Sequence, residues 1–156
     1  MATPSDYTMA TLARHVGRDF GVATPQRLDQ ARIDAFARCT GDAQWIHTDP
    51  ARARRESPAG VTIAHGLLLL ALIPSAQFDL GVYPRDAASV LNYGFERVRF
   101  LAPVPEGSEV AVRVELHTVE AKSPGRYLLR CVNTAFITTD PQRPVMIADS
   151  LGMVVA

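Results

Sequence analysis

Residues 65–78 read HGLLLLALIPSAQF, and wound as a helix their first two turns have no polar face. A helix that is apolar all round has to be buried. A membrane is not what buries it, because the longest apolar stretch, Leu67 to Ile73, falls far short of the roughly 20 residues that span a bilayer. The rest of the chain must therefore enclose this segment, and Pro74 should kink it or mark where its last turn changes course.

The enclosing material follows residue 85. SVLNYGFERVRFLAPV reads as an extended pair or one bent strand, with Gly94 as a candidate bulge. SEVAVRVELHTVEA alternates with period two, setting Val110, Val112, Val114 and Leu116 on one face and Glu109, Arg113 and Glu115 on the other. GRYLLRCVNTAFITT follows the turn signal KSPG, and PVMIADSLGMVVA follows DPQRP. Consecutive strands joined by short turns predict an antiparallel meander.

Before residue 85 the pattern is helix and loop. Residues 8–16 are expected to form a short helix ending at Gly17. Asp29 is placed to cap a second helix, QARIDAFARCT, in which Ile33, Phe36 and Ala37 share a face and which Gly41 stops. Asp49-Pro50 starts a short helical turn through ARARRE. Ahead of that turn, DAQWIHTDP is too irregular for helix or strand. The expected class is α+β, one apolar helix lying on the concave face of an antiparallel sheet.

A chain of 156 residues is the size of one domain, residues 1–156, with a single core. Sixteen basic residues balance sixteen acidic ones, which removes the electrostatic footprint of a nucleic-acid binder but leaves room for a local basic patch. The N-terminus lacks the basic start and apolar core of a signal peptide, so a soluble, cytoplasmic protein without a membrane partner is expected. Cys39 and Cys131 have neither metal-ligand nor redox spacing, and both are expected to be buried free thiols.

Two short stretches carry ionisable residues. GDAQWIHTDP holds Asp42 and His47 around the only tryptophan, Trp45. By residue type the pair is either a turn residue and a hydrogen-bonded loop histidine, or two proton-transfer groups aimed at one atom. The second alternative needs a rigid loop, which burial of Trp45 and Ile46 would supply. His65-Gly66 opens the apolar helix, whose N-terminus presents unpaired amides and the positive end of the helix dipole. Glycine there either lets a carbonyl oxygen approach the backbone, making an oxyanion hole, or only permits tight helix–sheet packing while His65 caps the helix. No metal is expected: His47 and His65 are eighteen residues apart, no HxxxH or CxxC accompanies them, and His15 and His117 lie in unrelated segments. There is no GxSxG, P-loop or GxGxxG, which removes a serine nucleophile elbow and the nucleotide phosphate cradles.

RIDAFARCTGDAQWIHTDPARARRESPAG, then TIAHGLLLLALIP, then LNYGFERVRFLAPVPEGSEV together resemble the MaoC-like dehydratases, or (R)-specific enoyl-CoA hydratases, and most closely their NodN-like branch. The resemblance covers roughly residues 25 to 115, with the three motifs in the family's order. GDxxxIH and IAHG together are specific, whereas either alone would be weak. The resemblance implies a hot-dog fold, an antiparallel sheet wrapped around a long central helix, usually dimerised so that two sheets become continuous. It also implies a hydratase/dehydratase that interconverts trans-2-enoyl and (R)-3-hydroxyacyl thioesters, carried on coenzyme A or on a carrier protein. Asp42 and His47 then match the catalytic dyad, and Gly66 matches the backbone donor to the thioester carbonyl. Gln44-Trp45 stands where many relatives have Asn-Pro, and RARRESPAG differs from the commoner Phe-Gly-Gly-type run.

On this reading, Ile63 and His65 of TIAHG line the substrate path, with Asn92 as a pocket candidate. Tyr93 is a further candidate, although a core position suits a tyrosine better. Arg97 and Arg99, projecting to one side of their strand, either bind a coenzyme A phosphate or line a sheet edge. No metal or redox cofactor is required. The rivals are a hot-dog thioesterase and a non-catalytic acyl-thioester binding domain; the second would be expected to lose Asp42 or His47, and this chain keeps both.

Overall fold

In the computed structural model, which describes residues 4–156, helix α4 (Gly66–Asp79) packs against an antiparallel sheet, as its sequence demands. The long strands are β3 (Ser89–Phe100), β4 (Glu109–Ser123), β5 (Arg126–Ile137) and β6 (Pro144–Val155). β4, β5 and β6 form the expected meander. Pro124-Gly125 makes the first turn, with Gly125 at φ 70, a conformation that favours glycine. β3 departs from the expectation. It pairs with β6 at the sheet edge and not with β4, and the order is β1-β4-β5-β6-β3. Residues 101–108 must therefore carry the chain from that edge past β6 and β5 to β4.

Two strands escape the sequence pattern. β1 (Asp19–Val22) and β2 (Gln26–Arg27) both pair with β4 on the side away from β5, and at four and two residues they are too short to show a period. The short helix expected over residues 8–16 is only a 3-10 turn at Leu12–His15. Helix α1 (Gln30–Thr40) has the ends its sequence announces: the Asp29 carboxylate accepts from the Arg32 amide at 2.9 Å, and Gly41 at φ 82 closes it by donating to the Ala37 carbonyl. Its buried face holds Ile33 and Ala37, with Phe36 half-buried.

The strand alternation decides what faces α4. Val110, Val112, Val114 and Leu116 of β4 are buried while Arg113 and Glu115 are exposed. Leu68, Leu69, Leu72, Ile73 and Ala76 of α4 join the same core. The helix is not covered on every side, however. Leu67 is 59% exposed and Phe78 63%, and with Ala71 they leave an open apolar stripe. Pro74 lies within the helix without ending it. No helix among the described residues is long and apolar enough to cross a membrane. Of the two cysteines, only Cys131 is buried, and burial pushes its thiol up to about 12; Cys39 is exposed, against expectation.

One polar network pins α4 to the sheet. The buried Gln77 amide donates to Asn133 Oδ1 at 2.9 Å and to Ser150 Oγ at 2.6 Å, while the Tyr83 hydroxyl donates to Gln77 Oε1. Asn133 in turn donates to the carbonyls of Cys131 and Ala148. Every member is satisfied, so removing one leaves others stranded in a dry core. Gln77→Ala should therefore cost about 2–4 kcal/mol, a cavity together with orphaned partners. Urea denaturation measures this, and a loss below about 0.5 kcal/mol would show that the network relaxes freely.

Candidate active site

The irregular DAQWIHTDP segment contains more order than its sequence suggests. Trp45–Thr48 forms a single helical turn, α2, followed by α3 (Pro50–Glu56) with Asp49 as its cap and Pro50 in its first turn. The Asp49 carboxylate accepts from the Arg52 amide at 2.9 Å. The Arg52 guanidinium then lies 4.3 Å over the Trp45 ring, a cation–π contact that braces the turn.

His47 is held through both its backbone and its ring. Its Nδ1 lies 2.7 Å from the Ile63 carbonyl. A carbonyl only accepts, so Nδ1 carries the proton and Nε2 is left bare. The Ile63 amide donates to Ile46 at 3.0 Å. Gln30 of α1 donates to the His47 carbonyl at 2.8 Å and accepts from the Thr62 hydroxyl at 2.6 Å. The ring is only 7% exposed, yet it lines a cleft.

That cleft of about 300 Å³ runs between His47, Ile63, Gly66, Leu69, Phe100 and the crossing segment 101–104. The crossing is the reason it exists. Ala64 donates to the Val104 carbonyl at 2.8 Å, Ile63 and Pro105 form a bridge, and Glu106 donates to Thr62 at 2.8 Å. The path from β3 to β4 is thereby clamped across the N-terminus of α4. In the first turn of α4, the Leu68 and Leu69 amides fold back on the His65 carbonyl. The Gly66 and Leu67 amides have no backbone partner among the described residues, which makes them available donors.

Gly66 also serves packing. A Cβ placed there would sit 3.0 Å from the Phe100 ring, too close for either group to stay where it is. Of the two roles weighed for this glycine in the sequence, the Phe100 contact supports helix–sheet packing. Gly66→Ala should push Phe100 into the cleft, cost about 1–3 kcal/mol by overpacking and depress turnover at the same time. A Phe100→Leu,Gly66→Ala double variant makes room and should recover the stability measured by denaturant titration. If it does not, the Phe100 contact is not what glycine is for.

His65 does not cap α4 with its side chain. Its Nε2 reaches the backbone carbonyl of Asp42 at 2.9 Å, and its ring stacks on His47 with centroids 3.8 Å apart. Asp42, His47 and His65 bring ligand-type atoms within 4.8 Å of one another, so eighteen residues of separation do not keep the two histidines apart. The three could approach a cation by distance. The stacked rings, 24° from parallel, nevertheless direct their in-plane lone pairs side by side and not at one point. The arrangement suits proton transfer better than chelation. Asp42 itself is exposed, anchored through its amide to the Thr40 hydroxyl at 3.3 Å.

The remaining sequence candidates lie elsewhere. Asn92 faces a second groove, beside Leu67, Leu70 and Phe95. Tyr93 is 62% exposed, which overturns the core position expected for it; the register shift around Gly94 turns it out of the sheet. Arg97 and Arg99 do not share a regular strand face, because a bulge falls between Glu96 and Arg99 and Arg97 takes φ 48. Arg97 pairs with the buried Asp149, its Nε at 2.9 Å, and Arg130 approaches the same carboxylate at 3.6 Å. Asp149 alternates with Ser150, which faces α4, so this cluster is on the opposite face of the sheet. Gln30, Thr62 and Phe100 shape the site without any sequence signal, since their roles depend on contacts between distant segments.

The profile of the family described as "MaoC like domain" matches residues 11–129. The chain is 37% identical over 149 residues to the 3-hydroxyacyl-thioester dehydratase Z of Mycobacterium tuberculosis, covering 96% of this chain and 97% of the relative. It is 35% identical over 148 residues to nodulation protein N of Rhizobium meliloti, covering 95% and 91%. Among solved structures, R-hydratase PhaJ1 from Pseudomonas aeruginosa, in the unliganded form, superposes with a TM-score of 0.70 at 25% identity, covering 90% of this chain and 81% of that one. The sheet and central helix are the hot-dog fold, and the relatives place the sequence with the NodN-like branch.

Proposed function

The chain belongs to the MaoC-like family, and from that premise we propose that it is a hydratase/dehydratase interconverting trans-2-enoyl and (R)-3-hydroxyacyl thioesters. The observation that carries the reading is that His47, with its bare Nε2, and the unpaired Gly66 amide line one cleft, with the Asp42 carboxylate within 4.8 Å of the histidine ligand atoms. Hydration asks three things of a protein: to deprotonate a water as it attacks C3, to deliver a proton to C2, and to hold the negative charge that gathers on the thioester oxygen. Asp42 and His47 share the first two on the same water: the Asp42 carboxylate holds and polarises it as a base, and the bare Nε2 of His47 takes its proton as the oxygen attacks C3 and passes that proton on to C2. As the C2=C3 electrons move toward the carbonyl, the Gly66 amide meets the developing oxyanion with the positive end of α4 behind it. Apolar walls such as Ile63 and Leu69 keep the cleft dry and strengthen those terms. Each task has a protein group, so the scheme needs no metal or redox cofactor.

Ile63 and Pro103 separate this cleft from an apolar recess lined by Trp45, Ile46, Pro58 and Ala59. The recess is built from RARRESPAG and its neighbours, the stretch that differs from the commoner family run, so acyl preference would be set there. Arg97 pairs with Asp149 on the far face of the sheet from α4, which favours the sheet-edge role over a coenzyme A phosphate contact for it.

The test is a panel of trans-2-enoyl-CoA thioesters followed by loss of enoyl absorbance, with a thiol-trapping dye in parallel. Absorbance should fall without thiol release; thiol release would mean a thioesterase, and neither signal would mean a binding domain. Chiral analysis of the product from crotonyl-CoA should give the (R)-3-hydroxyacyl thioester, and a mainly (S) product would overturn the assignment.

A further inference from the structure

We propose that His65 is a positioning residue that holds the two halves of the dyad in fixed relation to the oxyanion-binding amide; this rests on the reading of Asp42 and His47 given above. His65 immediately precedes Gly66 in the chain, so its backbone is part of the α4 N-terminus. Its side chain is 2% exposed and spends nothing on capping that helix. Instead, Nε2 donates to the Asp42 carbonyl at 2.9 Å, because a carbonyl can only accept. One face of the ring stacks on His47 at 3.8 Å, and the Phe36 ring of α1 lies 5.1 Å away. A single buried imidazole thus touches the Asp42 loop, the His47 turn and α1 while being covalently joined to Gly66.

The proton inventory sharpens the role. With Nε2 protonated, Nδ1 of His65 is a bare acceptor, and it is buried with no hydrogen-bond partner among the described residues. An imidazole in that state has no way to add a second proton without burying an unpartnered donor and a charge beside His47. The Asp42 carbonyl therefore selects the Nε2–H form of His65, while the Ile63 carbonyl selects the opposite Nδ1–H form of His47. Of the two imidazoles, His47 is therefore the one that carries a proton during turnover. Losing either the donor or the stack would let Asp42 drift relative to His47, and a displacement of about 1 Å in such a pair costs up to about 10²-fold.

Two-bond ¹H–¹⁵N correlation spectra of histidine-labelled protein test this without reference to turnover. They should show Nε2–H for His65 at pH 7 and Nδ1–H for His47. Finding His65 as Nδ1–H, or as imidazolium, would overturn the proposal. His65→Phe keeps a ring to stack but loses the donor; it should lower kcat about 10–100-fold with KM within about threefold, while His47, still bonded to Ile63, keeps its Nδ1–H form. His65→Gln, which returns an amide N–H near the Nε2 position, should recover much of kcat. A rise in KM with kcat unchanged would make His65 a substrate contact, and kcat within twofold in both variants would leave it a packing residue; either overturns the proposal. If His65→Phe does not fold, the wild-type tautomers and the Gln variant decide. If the wild-type protein turns over no enoyl thioester, the hydratase reading fails, while the wild-type tautomers of His65 and His47 still judge the positioning role.

Discussion

Asp42→Asn and His47→Gln should each lower kcat by about 10²–10⁴-fold, and the double variant should fall close to the worse single. Both groups are proposed to act on one water. Once either is lost, that water is no longer held and deprotonated in the attacking position, so there is little left for the second substitution to remove. The geometry argues for this coupling. His47 offers only its bare Nε2, since Nδ1 is committed to Ile63 at 2.7 Å, and the Asp42 carboxylate lies within 4.8 Å of the histidine ligand atoms. Folding should survive: Asp42 is exposed, and the buried His47 loses one hydrogen bond, about 1 kcal/mol. Steady-state rates on a short enoyl-CoA, alongside denaturant midpoints, separate the two effects. Losses that multiply cleanly would mean the residues act independently. Unchanged turnover in both would return the loop to a structural role.

How far the sequence speaks depends on whether the relevant signal is local. The α4 run, the alternation of β4 and the α1 caps at Asp29 and Gly41 are short-range patterns, and all three appear in the structure. β1 and β2 are too short to have a period, and the pairing of β3 with β6 joins segments about fifty residues apart across a crossing that no local pattern encodes. Within the site, Asp42, His47 and Gly66 are legible through their motifs. His65 was readable only as a lining or capping group, because its contacts with Asp42 and His47 arise when residues 42–47 meet the start of α4. Arg97 and Arg99 misled through their spacing: two residues apart means one face in a regular strand, and the bulge between Glu96 and Arg99 breaks that rule. The rule that an apolar helix must be buried holds for the face carrying Leu68, Leu69, Leu72, Ile73 and Ala76 yet says nothing about what does the burying, and the stripe through Leu67 and Phe78 is where that silence matters.

That stripe leads to the expectation of a homodimer. β3 is an edge strand of twelve residues with one side unpaired among the described residues, and such an edge recruits another strand unless something covers it. Leu91 and Tyr93 on it are exposed, as are Leu67 and Phe78 on α4, and between strand and helix runs a groove lined by Leu70, Pro74 and Phe95. Exposed apolar surface of this continuity marks an interaction face, and a second copy related by a two-fold axis would pair β3 with β3 and cover both helices at once. Light scattering at micromolar concentration should give about twice the 17.0 kDa chain mass, or a larger even multiple if dimers stack. Phe78→Glu and Tyr93→Glu should each weaken association by roughly 30-fold or more, the scale of a hot-spot aromatic worth about 2 kcal/mol. Because β3 ends at Phe100, which lines the cleft, monomeric variants should also lose activity although Phe78 and Tyr93 do not line the cleft. A clean monomer mass for the wild-type chain would overturn the dimer, and full activity in a monomeric variant would show that the cleft is complete within one chain.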